Sequence, residues 1–230
     1  ATKSFNITSS NTGTITGLGG VATAFNWSAI SNLTGGGTDT LTNTNTTNTW
    51  TLTGSNAGTV TNLSGSFAGM GTLTGGSGTD TLIGANAVNT WSINGGNSGT
   101  VTNLSGTFSA MENVTGGTTT DGFTINGGTI SGTIDGNAGT DTLTGGNTTN
   151  TWTVNGTGAG TLAPGGNFTA IENIVGGNTT DSYSITAGSI TSIVDTSGNN
   201  TITQSGGTIG SVALTGPTQV NSSITTTGTQ

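Results

Sequence analysis

The stretch "ENVTGGTTTDGFTINGGTISGTIDG" at residues 112–136 decides the fold, because a related stretch, "ENIVGGNTTDSYSITAGSITSIVDT", follows at residues 172–196. Within each copy the apolar residues alternate with Thr, Ser or Asn, which is the period-two pattern of a β-strand with one buried face. Gly, Asn and Thr are poor helix formers, so the sequence predicts strands and no helix.

Shorter motifs recur along the whole chain at compatible steps. "NTW" stands at 48–50, 89–91 and 150–152, and "TDTL" stands at 38–41, 79–82 and 140–143. Both motifs step first by 41 and then by 61 residues, close to two and three units of about 20. Written in rows of about 20 residues, the sequence places in one apolar column Leu33, Leu52, Leu73, Ile93, Val114, Ile134, Val154, Ile174, Val194 and Leu214.

This period predicts an all-β protein, a parallel β-solenoid with about 20 residues per coil and about 11 coils. Successive coils are expected to stack about 4.8 Å apart, the spacing of neighbouring strands. We expect residues 1–230 to form a single solenoid domain, with residues 1–30 as a longer, irregular first coil. Residues 215–230 are expected to form a terminal segment that contacts the next subunit.

The composition excludes several classes of function. The 230 residues include 44 glycines, one basic residue, Lys3, nine acidic residues and neither His nor Cys, for a net charge of -8. No row of cations is available to neutralise phosphates, which argues against nucleic acid and anionic membrane surfaces as partners. No apolar run is long enough to cross a bilayer. The start "ATKSFNIT" reads as the terminus of a secreted chain after signal cleavage, and the lack of Cys suits an extracellular protein.

The motif "GGSGTDTLI" at residues 75–83 fits the nonapeptide of calcium-binding β-rolls, but it does not recur in tandem as such a roll requires. We therefore interpret the match as coincidental and "GTD" as a coil corner, in which a solvated Asp accepts a turn N–H. In the grid of 20, Asp alternates with Thr at this corner except at Asp121 and Asp141, which are predicted to lie one coil apart. Two adjacent carboxylates either remain solvated turn residues or recruit a cation, and the candidate is calcium.

Residues 75–117, "GGSGTDTLIGANAVNTWSINGGNSGTVTNLSGTFSAMENVTGG", resemble a repeat of very large secreted bacterial surface proteins of the haemagglutinin-like adhesin type. The motifs "GTDTL", "NTW" and "F-x-A-M/I-E-N" carry this resemblance, which extends from about Asn32 to Asp195. It implies a secreted, right-handed parallel β-helix at the bacterial surface.

An enzyme is not expected, since no His or Cys is available as base, nucleophile or transition-metal ligand, and no cofactor is predicted. Trp50, Trp91 and Trp152 share one column of the grid and have two interpretations. On an outer face they could stack on sugars, which would favour an adhesin that binds glycan. In the interior they would be structural, and this second interpretation is preferred.

The leading functional prediction is a structural subunit that polymerises head to tail into an extracellular bacterial fibre, with other copies of itself as its partner. Bare solenoid ends template the addition of further chains. The residues assigned to these polymerisation ends are Phe5, Ile7, Leu214, Val220 and Ile224. The alternative is a segment of a surface adhesin that binds glycan or a host surface.

Overall fold

The computed structural model describes residues 2–19, 23–44, 47–215 and 223–226, and this part of the chain contains strands and turns but no helix. The absence of helix there confirms the all-β prediction. The strands are β1 Ser4–Ser9, β2 Thr12–Thr16, β3 Phe25–Ser28, β4 Leu33–Asn43, β5 Thr49–Gly54, β6 Ala57–Val60, β7 Phe67–Thr74, β8 Thr81–Ile83, β9 Thr90–Gly95, β10 Ser98–Val101, β11 Phe108–Ser109, β12 Asn113–Thr115, β13 Gly122–Ile125, β14 Thr133–Asp135, β15 Thr142–Thr144, β16 Thr151–Gly156, β17 Ala159–Ala163, β18 Gly166–Thr169, β19 Asn173–Val175, β20 Ser182–Ile185, β21 Ser189–Asp195, β22 Thr201–Gln204, β23 Thr208–Leu214 and β24 Ser223–Thr226.

All 24 strands belong to one hydrogen-bonded sheet, which divides into two ladders that share β4 and β7. Ladder A has the order β3-β2-β1-β4-β7-β11-β10-β9-β13-β15-β19-β21-β23. Ladder B has the order β4-β7-β6-β5-β8-β12-β14-β18-β17-β16-β20-β22-β24. From β11 onward the chain alternates between the ladders, except that β16, β17 and β18 follow one another in ladder B, and this alternation is the course expected of a solenoid-like fold.

The coil length falls into two ranges. Without an insertion the chain returns to the same ladder after 19 to 22 residues, as in the pairs Ile174–Ile193, Val114–Ile134 and Ile202–Ile224. In coils that contain the NTW motif the return takes 31 to 35 residues, as in the pairs Trp152–Tyr183, Trp91–Phe123 and Leu73–Phe108. A uniform period of 20 is therefore wrong for these coils.

The extra residues of each long coil form an antiparallel β-hairpin. The hairpins β5–β6, β9–β10 and β16–β17 place Trp50 opposite Val60, Trp91 opposite Val101 and Trp152 opposite Leu162. Each hairpin then pairs antiparallel with the strand that follows it. The return strands were predicted to be coil strands because their apolar residues alternate in the same way.

Two of these hairpin turns depend on a left-handed backbone conformation. Asn56 and Asn97 occupy the turns with φ of 51° and 52°, a region in which Asn is enriched among non-glycine residues. The described part of residues 1–30 follows the same plan, since β1, β2 and β3 form a three-stranded antiparallel meander with Asn11 in its first turn at φ 48°.

The core lies between the two ladders and is continuous along the molecule. Trp91 stacks on Phe123 with ring centroids 5.6 Å apart, and Trp152 stacks on Tyr183 at 6.1 Å. Trp91 also meets Phe108 edge to face at 5.8 Å. These contacts join neighbouring strands inside the core.

The predicted apolar column is buried except at Val194 and Leu214, and its register is wrong. Ile134, Val154 and Ile174 are fully buried, but Ile134 lies in ladder B and Ile174 in ladder A, so they do not form one stack. Val194 is only half-buried, and Ile193 takes its place in the core. Both residues are apolar, so the alternation pattern is ambiguous at this point of the sequence.

The pair Ile193 and Val194 tests this register. Ile193→Ala should lower the free energy of unfolding by about 2–5 kcal/mol, because it leaves a cavity in the core. Val194→Ala should cost less than about 1 kcal/mol, because Val194 faces outward. Chemical denaturation of both variants measures the difference. A larger loss in Val194→Ala than in Ile193→Ala would contradict the register.

Candidate functional site

Buried Asp and Asn side chains lie at the coil corners, each directly before a strand. We call their hydrogen-bonded series the corner ladder: the N–H of one corner residue is accepted by a side-chain oxygen of the corner residue in the next coil. The Asn48 N–H donates to Asp80 Oδ1 at 2.8 Å, and the Asp80 N–H donates to Glu112 Oε2 at 2.8 Å. The Asn48 side-chain amide also donates to Asp80 Oδ1, at 2.7 Å.

The same arrangement occurs in two further runs. Asn89, Asp121 and Asp141 donate their N–H groups to Asp121 Oδ1, Asp141 Oδ1 and Glu172 Oε2 at 2.6, 2.7 and 2.8 Å. The Asn150 N–H donates to Asp181 Oδ1 at 2.6 Å. The corner ladder continues past coils of different length, since its steps are 32 residues from Asn89 and 20 residues from Asp121.

The prediction that Asp forms the corner turn is correct at several positions, but the predicted solvation is wrong. The Gly117 N–H donates to Asp121 Oδ2 at 2.6 Å, and the Gly177 N–H donates to Asp181 Oδ2 at 3.0 Å. Asp121 and Asp181 are nevertheless 99% buried. The predicted alternation with Thr fails because Thr59, Thr100 and Thr161 lie on hairpin return strands, and Asn and Glu are the corner neighbours instead.

Asp121 and Asp141 do lie in adjacent coils, as the pairing of Gly122 with Thr142 requires. Both oxygens of Asp121 and one oxygen of Asp141 accept N–H groups, and Asp141 Oδ2 is the one oxygen of the two carboxylates without a hydrogen bond. Calcium takes six to eight oxygen ligands. Within the described residues, no three His, Cys, Asp or Glu side chains converge on a metal site. Asp121 and Asp141 together supply fewer oxygens than calcium takes, so these residues add no support to calcium binding, which stays a prediction.

Chelation tests the calcium prediction directly. With one open carboxylate oxygen at the pair, we expect EDTA to leave the melting temperature of the protein unchanged. A fall in melting temperature on chelation that is abolished by Asp141→Asn would instead show that calcium binds at Asp121 and Asp141.

Two of the corner carboxylates keep a buried oxygen without a hydrogen-bond partner: Asp80 Oδ2 and Asp141 Oδ2. Burial raises the pKa of Asp141 from its ordinary value of 3.8 to about 6, although the N–H bond from Asp121 opposes the shift. The charges of Asp121, Glu172 and Asp135 raise this pKa further. Burial also raises the pKa of Asp80. A protonated carboxyl group is therefore the favoured state of Asp141 in mildly acidic solution.

Asp141→Asn should change how stability depends on pH. The raised pKa means that the folded protein binds the proton more tightly than the unfolded chain does, so Asp141 lowers the free energy of unfolding as pH rises from about 4 to about 6. Asn cannot ionise, so the melting temperature of the variant relative to the wild type should increase across this range and stay constant above it. Thermal melts between pH 4 and 8 measure this difference.

Asp39→Asn is a control for Asp141→Asn, because the pKa of Asp39 is lowered whereas that of Asp141 is raised. Burial alone would raise the pKa of Asp39, but bonds from the N–H groups of Lys3 and Gly36, with the Lys3 ammonium 3.3 Å away, lower it. The Asp39 carboxylate therefore stabilises the fold fully above its unfolded pKa of 3.8, and this stabilisation is lost as pH falls below that value. Asp39→Asn should therefore lose stability relative to the wild type as pH rises toward 3.8 and show no further change above it, so the melts of this variant extend below pH 3.8. A rise in the relative stability of Asp39→Asn with pH, parallel to that of Asp141→Asn, would contradict these assignments.

The three tryptophans of the NTW motif are not a surface site. Trp50, Trp91 and Trp152 are fully buried and pack against core aromatic rings, so the structural interpretation is confirmed. Trp27, which falls outside the motif, is half-buried on β3. The glycan-stacking interpretation therefore has no exposed ring at the three NTW positions.

The residues assigned to the polymerisation ends separate into three groups. Phe5 and Ile7 are buried on β1, which lies between β2 and β4, so they are not at an edge. Leu214 is half-buried and Ile224 is exposed, and both lie on edge strands. Val220 lies outside the described residues. At the end of ladder A that begins with β3, Phe25 is the exposed apolar residue.

The chain matches no protein-family model, no curated protein and no solved structure. The resemblance to haemagglutinin-like repeats thus remains a prediction from the sequence. No helix long and apolar enough to cross a membrane occurs in the described residues.

Proposed function

We propose that this protein is a structural subunit of an extracellular bacterial fibre and polymerises head to tail through the ends of its two ladders. The observation that carries the proposal is that, within the described residues, the strands at the ends of the ladders pair on one side only and have apolar side chains beside them. The resemblance to secreted bacterial repeats and the cysteine-free composition support the extracellular location.

The open edges are β3 at one end and β23 and β24 at the other. Within the described residues, β3 pairs only with β2, β23 only with β21 and β24 only with β22. Each of these strands therefore presents a row of backbone N–H and C=O groups that can pair with another chain. The three strands carry no charged residue, although charge is a common means of blocking such edges.

Exposed apolar side chains concentrate at the same ends. Four large apolar residues are exposed in the described chain, and three of them are near an edge: Phe25 at 50%, Ile30 at 40% and Ile224 at 53%. Val88, at 63%, lies on the flank. Val212 and Leu214 on β23 are half-buried against the core. Contact with a second copy would remove the apolar surface at both ends from water, which favours association.

The adhesin alternative depended on aromatic side chains at the surface, and burial of the three NTW tryptophans removes that support. A fibre requires no ligand site, and the strands at both ends of the ladders support it. We therefore retain the fibre as the proposed function, with glycan binding as its less favoured alternative.

Negative-stain electron microscopy of the purified chain tests the fibre. Each ladder contains 13 strands, so stacked copies should give fibres with an axial repeat of about 60 Å at about 4.8 Å per strand. Leu214→Lys places a charge at the joining edge and should leave folded monomers. Val88→Lys is the matched control, because it charges an equally apolar residue on the flank and should leave the fibres intact. A chain that stays monomeric at high concentration would rule out the proposal.

A further inference from the structure

We infer that the join between two copies is a parallel pairing of β23 with β3 of the next copy, with Leu214 opposite Phe25, while β24 meets β4 of that copy in ladder B. This inference rests on the proposed function and specifies its interface. The partner that pairs with these edge strands is thus a second copy of this chain, in parallel orientation and in a single register.

Strand direction supports the parallel join. In ladder A, β3 is antiparallel to β2, β2 is antiparallel to β1, and β1 is parallel to β4. Two reversals leave β3 parallel to β4. Between β4 and β23 the same ladder contains two antiparallel steps, at β11–β10 and β10–β9, and the others are parallel. The strands β23 and β3 therefore run in the same direction, and their contact would repeat the pairing found inside the molecule.

The ends of the two ladders are offset by equal amounts. Counted from the shared strand β4, ladder A has three strands before it and nine after it, whereas ladder B has none before it and 12 after it. Ladder B therefore extends three strands further at one end, and ladder A extends three strands further at the other. These two steps are complementary, so a second copy can continue both ladders at once.

The inserted hairpins keep the offsets of the two ladders equal at both ends of the molecule. The meanders β1–β2–β3 and β9–β10–β11 add strands to ladder A, and the meanders β5–β6–β7 and β16–β17–β18 add strands to ladder B. Because the insertions alternate between the ladders, both reach the same total length. Insertions confined to one ladder would leave a gap at every join.

The register follows from an inward-facing column of ladder A. Direct pairings align Phe25 with Ile15, Phe5, Leu41, Leu73, Phe108, Gly99, Ile93 and Ile125. The column then continues through Gly145 and Gly176 to the paired residues Asp195 and Leu214. Leu214 ends the column at one end of the molecule and Phe25 ends it at the other, so a straight continuation places one on the other. This contact would cover Phe25, which is 50% exposed in the single chain.

The same register aligns Ala213 with Ala24, the residues that precede Leu214 and Phe25. Both are small, Ala24 is exposed and Ala213 is half-buried on the outward side of β23. Across a parallel pair their Cα atoms would lie about 5 Å apart, within the range that a disulfide spans. The chain contains no cysteine, so an introduced pair reports a single contact.

Disulfide crosslinking tests the join. Mixing Ala24→Cys with Ala213→Cys under oxidising conditions should give covalent dimers on a non-reducing gel. The double variant should give a series of covalent oligomers of increasing size. Each single variant alone should give none, since the contact is between different ends. Ala24→Cys mixed with Val88→Cys is the matched control and should also give none. Circular dichroism confirms that each variant retains the strand content of the wild type.

Three outcomes would overturn the inference. Covalent dimers of Ala24→Cys alone would show a head-to-head contact. Stronger crosslinking of Ala213→Cys with Asn26→Cys than with Ala24→Cys would show a register shifted by two residues. Fibres that form without any crosslink between Ala24→Cys and Ala213→Cys would reject this join and leave the proposed function standing, whereas failure of the proposed function itself appears as the absence of fibres in wild-type protein.

Discussion

The fold depends on the hydrogen bond that each coil corner makes to the next coil. A corner residue stands directly before a strand, so its N–H lies outside the backbone pairing of that strand. A buried N–H without a partner would cost free energy. The side-chain oxygen of the following corner residue accepts this N–H, as Asp121 does for Asn89 and Asp141 does for Asp121. The corner ladder therefore holds successive coils in register at the positions directly before their paired strands. It does so for coils of 20 and of 32 residues, because the inserted hairpin leaves both corners in place.

The sequence predicts the strands and the buried apolar positions well, because alternation at period two is a local property of the chain. It does not predict the hairpins, because the return strand with Val101 alternates in the same way as a coil strand. Trp91 pairs with both Val101 and Phe123 in the folded protein, and a fixed sequence period predicts neither pairing. The useful signal was the unequal spacing of the NTW motifs, which reflects the coils that carry an insertion.

The candidate site was predicted only in part. Adjacency of Asp121 and Asp141 follows from the period, since no hairpin lies between them. Their burial does not follow, because composition favours exposed aspartates and the backbone donors that compensate them come from other coils. Of the residues assigned to the polymerisation ends, Phe5 and Ile7 lie away from an edge. The segment with Phe5 and Ile7 looks like a terminal strand in the sequence, but β2 and β3 fold back beside it and form the edge instead.

Amide hydrogen exchange is the most direct test of the corner ladder, which is the central claim of this account. The N–H groups of Asn89, Asp121 and Asp141 should exchange as slowly as those of the strands that follow them, because each is buried and bonded to the next coil. The amide of Ala138, exposed in a turn, should exchange rapidly. Exchange of the three corner amides at the rate of Ala138 would contradict the account, because the coils would then be held in register by strand pairing alone.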